Sequence, residues 1–179
     1  MLFRSKTDRS AAERGDDKWL SLDVSDGQGV ENALRQSQPS LIINAAAYTA
    51  VDHAEEDVDA SYIVNAEFPA RLAHWAAQND AMLIHYSTDY VFNGDASRPY
   101  RETDTPDPQS IYGKSKLAGE QAILEYHCRH AIIRTAWVYS SHGKNFVLSM
   151  LNLARKGVQL GVVNRSEEHT SELQSPDHL

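Results

Sequence analysis

From Lys18 onward the chain alternates short apolar runs with longer stretches of helical period, the rhythm of βαβ units around a parallel sheet. Residues 19–24 (WLSLDV) read as a strand that carries Asp23 near its end. Asp26 stands where a helix N-cap belongs, ahead of Val30, Ala33 and Leu34. That helix has to stop before Pro39, because the residue preceding a proline avoids helical backbone angles. Leu41, Ile42 and Ile43 are apolar at consecutive positions, as in a strand covered on both faces, and run into Asn44-Ala45-Ala46-Ala47. Phe68, Leu72, Trp75 and Ala76 recur at the i, i+4, i+7, i+8 spacing of one buried helix face. A strand over residues 82–87 follows, and residues 94–108, rich in Asp, Pro and Thr, form a surface loop. A helix over residues 112–126 is expected to turn Leu117, Ile123 and Leu124 inward, and a strand covers residues 131–134. Asn145 caps a helix bearing Val147, Met150, Leu151 and Ala154, and residues 158–163 read as a further strand. The fold class is α/β with a parallel sheet; strand order is not legible in such patterns.

Composition narrows the function classes. With 179 residues and 41% hydrophobic content the chain suits one domain with a real core. A net charge of -8 argues against a nucleic-acid partner, since phosphate binding needs a basic face. The 8 histidines are scattered without metal-ligand spacing. Cys128 is the only cysteine, which excludes an internal disulfide and points to a reducing cytoplasm. No apolar run approaches the ~20 residues of a membrane span, and no signal peptide is visible.

Candidate chemistry centres on Tyr112-Gly113-Lys114-Ser115-Lys116. On a helix Tyr112 and Lys116 project from one face, so the ammonium can sit near the phenol. An unperturbed phenol titrates near ~10, and a neighbouring positive charge lowers that value. Tyr112 is thereby suited to act as general acid toward a carbonyl oxygen. A Tyr and a Lys four apart also occur as an ordinary surface pair, so context has to decide. It comes from His85-Tyr86-Ser87-Thr88-Asp89-Tyr90-Val91-Phe92, where an apolar strand ends in hydroxyls and a carboxylate. Thr88 there can hydrogen-bond a substrate carbonyl in the crevice at a sheet's carboxyl edge, or cap the next turn. Asp23 can hydrogen-bond an adenosine or cap a turn. The alanines after Asn44 suit close approach of a flat cofactor, and equally suit tight strand-to-helix packing. Trp137 and Tyr139 line a sugar or base pocket or finish the core. Asp52, Glu55 and Glu56 read as a solvated helix start, and Cys128 and the histidines as packing or surface residues.

Taken in order, INAAAYTAVDHAE, VNAEFPARLA, IHYSTDYVFNG, YGKSKLAGE and RTAWVYS resemble the extended short-chain dehydrogenase/reductase family over about residues 20–163. The resemblance implies a Rossmann-like, doubly wound parallel sheet and an enzyme of nucleotide-sugar metabolism. Within the family the wording is similar to the branch that reduces the 4-keto group of dTDP-4-dehydro-L-rhamnose to dTDP-L-rhamnose, a precursor of cell-surface polysaccharide, with NADPH or NADH. By that resemblance Tyr112 is the catalytic acid, Lys116 binds the nicotinamide ribose and tunes Tyr112, and Thr88 completes the triad. Asp23 and Val24 match the adenosine contact, Ala46, Ala47 and Thr49 line the cofactor, and Asp89, Tyr90 and Trp137 match substrate contacts. It also brings a homodimer and an association with Mg2+, for which the sequence offers no site. Sugar-nucleotide epimerases and dehydratases share Tyr-x-x-x-Lys, and a non-catalytic regulatory subunit, like the methionine adenosyltransferase β-subunit, shares the fold.

The chain departs from that pattern at both ends. The family opens with a strand and a glycine-rich turn whose amides meet the cofactor pyrophosphate; here Gly15 is the only glycine before Asp23. The Rossmann sheet is therefore expected to be incomplete, with its first strand and glycine-rich turn missing. Residues 165–175 (RSEEHTSELQS) and 2–5 (LFRS) resemble translated sequencing-library adapters. Residues 1–5 and 165–179 are accordingly expected to be non-native flanks around a partial NAD(P)-binding domain at 6–164. On its own such a chain is expected to bind cofactor poorly, to be inactive and to be marginally stable.

Overall fold

A computed structural model describes residues 22–143 and 145–157. Three strands, β1 (Leu41–Asn44), β2 (Met82–Thr88) and β3 (Arg129–Thr135), run parallel in the order β1-β2-β3. Parallel neighbours need crossovers, and helices supply them. After α1 (Gly27–Ser37) and β1 come α2 (Val51–Glu56), α3 (Val58–Tyr62), a π-helical turn (Ile63–Glu67) and α4 (Phe68–Gln78) before β2. A 3-10 turn (Asp89–Val91) and α5 (Ile111–Glu125) lead to β3, and α6 (Phe146–Arg155) follows it. The register sets Asn44 beside His85 and Thr88 beside Thr135, which aligns the carboxyl ends of the strands. Among the described residues no helix is long and apolar enough to cross a membrane.

The local signals account for most of these boundaries. Asp26 accepts the Gly29 N–H at 3.0 Å and starts α1, and Asn145 accepts the Leu148 N–H at 3.0 Å and starts α6. Ser110 does the same for α5 through the Gly113 N–H at 3.1 Å, so α5 begins one residue before Tyr112. Residues 94–108 hold no helix or strand, as expected. Of the strand anticipated over 19–24, residues 19–21 lie outside the described residues. Its described end is not a strand, although Leu22 and Val24 pack into the core. The strand at 158–163, the segment before Asp23 and both adapter-like flanks also lie outside the described residues.

The core gathers on one side of the sheet. Val30 and Leu34 of α1, Phe68, Leu72 and Ala76 of α4 and Ile123 of α5 close over Ile42 and Leu83. The opposite side differs from expectation. Leu41, Ile43, Tyr86 and Ile133, which alternate with the buried strand positions, are exposed, because the described helices that pack on the sheet do so from one side. Val147 and Leu151 of α6 are also exposed, and α6 buries none of its residues.

The buried stripe of α5 runs through Gly113, Lys116, Glu120 and Ile123 rather than through Leu124, which is 51% exposed. A hydrophobic pattern misplaces this face because two of its inward positions are charged. Glu120, itself buried, accepts from Nε and Nη2 of Arg134 on β3, at 3.0 and 2.6 Å. Such a bidentate pair tolerates burial, and removal of one partner costs about 3–5 kcal/mol. Gly119 lets α5 touch the π-helical turn, since a Cβ there would overlap the Asn65 carbonyl. That turn re-aims Asn65. Its side chain holds the Tyr48 N–H at 2.9 Å, the Tyr48 carbonyl at 3.1 Å and Ser115 Oγ at 3.0 Å. The loop following β1 is thereby tied to α5.

Candidate active site

The carboxyl ends of the three strands carry the side chains with chemical potential, where open α/β sheets bind ligands. Thr88 ends β2; its Oγ1 donates to Asp89 Oδ1 at 3.0 Å and accepts the Tyr90 N–H at 3.2 Å. This caps the 3-10 turn and leaves the hydroxyl beside Tyr112 of α5, near enough to act on the phenol's proton affinity. Tyr90 packs edge-on against Tyr112 with ring centroids 5.4 Å apart. Gly113 makes this possible, because a Cβ there would run into the Tyr90 carbonyl. Thr88, Asp89, Tyr90 and Tyr112 thus form one cluster, with Tyr112 half-buried.

Electrostatics in this cluster differ from expectation. Burial pushes the Tyr112 phenol above its ordinary value; the Thr88 hydroxyl beside it pulls it back, and Asp89 and Tyr90 add to the rise. The net direction is up, whereas the spacing to Lys116 suggested down. Lys116 is 1% exposed, and its Nζ gives a hydrogen to the Tyr86 carbonyl at 2.6 Å and lies 3.3 Å from His85 Nε2. The amine is therefore engaged toward β2 rather than turned to the phenol. Burial lowers the Lys116 pKa to about 8, against a smaller opposing pull from Glu120. His85 is itself fully buried, and its Nδ1 meets Asn44 Nδ2 at 2.9 Å. Burial, then the Lys116 charge, lowers its pKa to about 3, so the imidazole is neutral.

The remaining candidates lie around this edge to differing degrees. Ala46 and Ala47 lie two and three residues past the end of β1, and Ala46 packs against the core. Thr49 is exposed in the same loop. Trp137, 46% exposed, follows β3 with a left-handed backbone (φ 51) and meets Phe146 edge-on at 5.0 Å. A bulky side chain at positive φ marks a strained position. Asp23 sits in the turn before α1, where its Oδ1 accepts the Ser25 N–H at 3.1 Å and the Ser25 hydroxyl at 2.6 Å. Its turn-capping role is thus present. The Val24 side chain belongs to the core.

Sequence reasoning passed over Asn44, His85 and Asn65 as functional polar groups. Asn44 was read only through the alanines beside it, and His85 among scattered histidines. The available signal was a polar residue at an inward position of an otherwise apolar strand. Ser87 is a further case: its Oγ is buried with no hydrogen-bond partner among the described residues, which suits a site completed by a bound molecule. Among the described residues no group of three or more His, Cys, Asp or Glu side chains could hold a metal ion.

The model of the RmlD substrate binding domain matches residues 4–168. The dTDP-4-dehydrorhamnose reductase of Escherichia coli K12 is 45% identical over 142 residues, which cover 79% of this chain and 48% of that protein. Two solved dTDP-4-dehydrorhamnose reductases superpose with TM-scores of 0.72. One, from Bacillus anthracis and in complex with NADP, is 35% identical and covers 82% of this chain and 55% of its own. The other, from Clostridium acetobutylicum, is 37% identical, with 82% and 54% covered. The chain spans about half the length of the curated relatives it matches.

Proposed function

We propose, because this chain belongs to the RmlD substrate binding domain family, that its full-length parent reduces the 4-keto group of dTDP-4-dehydro-L-rhamnose with NADPH or NADH. The observation that carries the reading is the Thr88–Tyr112 hydroxyl pair at the carboxyl end of β2, with the Lys116 amine one helical turn on. The residues present fit the nicotinamide end of such a cofactor. Ser87 Oγ is buried without a protein partner among the described residues, small side chains follow β1, and Thr88 and the partly exposed Tyr112 stand at the sheet edge. Lys116, Tyr112, Ala46, Ala47 and Thr49 would hold that end, and Asp23 and Val24 the adenosine end. A bound dihydronicotinamide supplies the hydride.

The protein's part is position and proton. Thr88 and Tyr112 hydrogen-bond the keto oxygen, and Tyr112 gives its phenolic hydrogen to that oxygen as it gains charge. A phenol kept protonated by burial is suited to donate. Asp89, Tyr90 and Trp137 would contact the dTDP-sugar. A cytoplasmic setting and pairing of the parent as a homodimer belong to the same proposal.

The test is an assay of the full-length parent with dTDP-4-dehydro-L-rhamnose and each dinucleotide in turn. Tyr112→Phe is expected to lower kcat by about 10²–10⁴-fold while circular dichroism stays unchanged. Undiminished turnover in that variant, or no turnover by the unmodified parent with either dinucleotide, would sink the reading.

A further inference from the structure

Asn44, His85 and Lys116 form a buried series in which the hydrogens can be placed by elimination. Asn44 Oδ1 faces the Ala46 backbone N–H at 3.1 Å, and a backbone N–H can only donate. The other end of the amide, Nδ2, therefore faces His85 Nδ1 at 2.9 Å, and it too can only donate. Nδ1 is the acceptor, so the neutral imidazole carries its hydrogen on Nε2. That nitrogen is 3.3 Å from Lys116 Nζ, whose other partner is the Tyr86 carbonyl at 2.6 Å. An ammonium has three donors and no acceptor. It would set one N–H against another across that gap. An amine, by contrast, accepts from Nε2–H and still gives a hydrogen to Tyr86.

We propose that Asn44 and His85 are positioning residues for Lys116: through the tautomer it imposes on His85, Asn44 disfavours the ammonium form of Lys116 and prepares the amine to accept a proton. This rests on the reading of Lys116 as part of the reductase site, although the tautomer itself does not. Burial acts in the same direction on Lys116. Glu120 of α5 acts against it, with its carboxylate already shared with Arg134 of β3. On the β2 side His85 is the titratable neighbour, and Tyr112 stands one turn earlier on α5.

The experiment uses the full-length parent labelled with 15N-histidine, with the His85 signals assigned by their loss in His85→Gln. Between pH 6 and 9 His85 is expected to be neutral with its hydrogen on Nε2, and to remain so in Lys116→Met, because Asn44 and not Lys116 imposes the tautomer. Asn44→Asp keeps an acceptor for Ala46 and accepts from Nδ1–H. It is therefore expected to move the hydrogen to Nδ1 and raise the proton affinity of Lys116 at least ten-fold, read from the Lys116 side-chain resonances. An Nδ1–H tautomer or an imidazolium in the unmodified protein overturns the proposal, even if Asn44→Asp fails to fold. So does a folded Asn44→Asp protein with unchanged Lys116 titration. Failure of the reductase reading is distinguishable: turnover is then absent while the tautomer result stands.

Discussion

Thr88 and Tyr112 meet at the carboxyl end of β2 with Tyr112 still half-exposed, whereas Asn44, His85 and Lys116, set beside them, are at most 3% exposed. Both groups are polar, and both draw on β2 and α5, with Asn44 added from β1. The difference lies in who satisfies them. Thr88 is buried as well, but the partly exposed Tyr112 beside it gives water or a substrate a way to replace a partner. The sealed series has only protein partners, so its proton count is fixed by neighbours and each charge change is felt as stability.

The largest expected break between the halves comes with acid. His85 has its pKa lowered to about 3 in the folded chain, while an unfolded histidine titrates near ~6.5. The stability it contributes is full above ~6.5 and is lost as pH falls toward 3, by an amount on the order of 5 kcal/mol. Urea midpoints are expected to drop steeply over that window, and His85→Gln to flatten the drop. Parallel pH profiles for the two proteins would remove His85 from the account.

Lys116 gives the next effect, at the opposite end of the pH scale. Its folded pKa of about 8 lies below the ordinary lysine value of 10.5. Below pH 8 both folded and unfolded chains carry the charge, and the folded one bears the full cost of burying it. Stability is therefore expected to rise between pH 8 and 10.5, by roughly 3 kcal/mol. Lys116→Met should lose that rise. Its difference from the unmodified chain, taken at each pH, cancels the contribution of the tyrosines.

The hydroxyl half is better probed sterically. A Cβ on Gly113 would overlap the Tyr90 carbonyl, so Gly113→Ala is expected to cost about 1–3 kcal/mol and to separate the Tyr90 and Tyr112 rings. A lowered Tm together with a changed near-ultraviolet tyrosine signal is the expected result. An unaltered Tm would show that α5 does not rest on Tyr90 as described.

Much of the fold and part of the candidate site were legible in the chain. The caps at Asp26 and Asn145, the buried stripe of α4 and the end of β2 at Thr88 follow from neighbours within a turn or two, where periodicity and capping chemistry operate. Tyr112 and Thr88 were legible because hydroxyls at a strand end and a helix start stand out locally. Asn44 and His85 were not, since 41 residues separate them and the register of β1 on β2 makes them partners. Lys116 was placed on the right face but with the wrong neighbour. Its spacing to Tyr112 is a local fact, while its hydrogen bonds to Tyr86 and His85 are not.

What the sequence determined by itself is the alternation of strands and helices, the caps that start α1 and α6, and the residue types offered at the sheet edge. All of these depend on interactions between residues close along the chain. Only the tertiary structure decided which side of the sheet the helices cover, that Lys116 and Glu120 rather than Leu124 face inward, and which way the Tyr112 phenol shifts. Burial and hydrogen-bond partners drawn from distant segments set those outcomes, and neither quantity exists until the strands have paired.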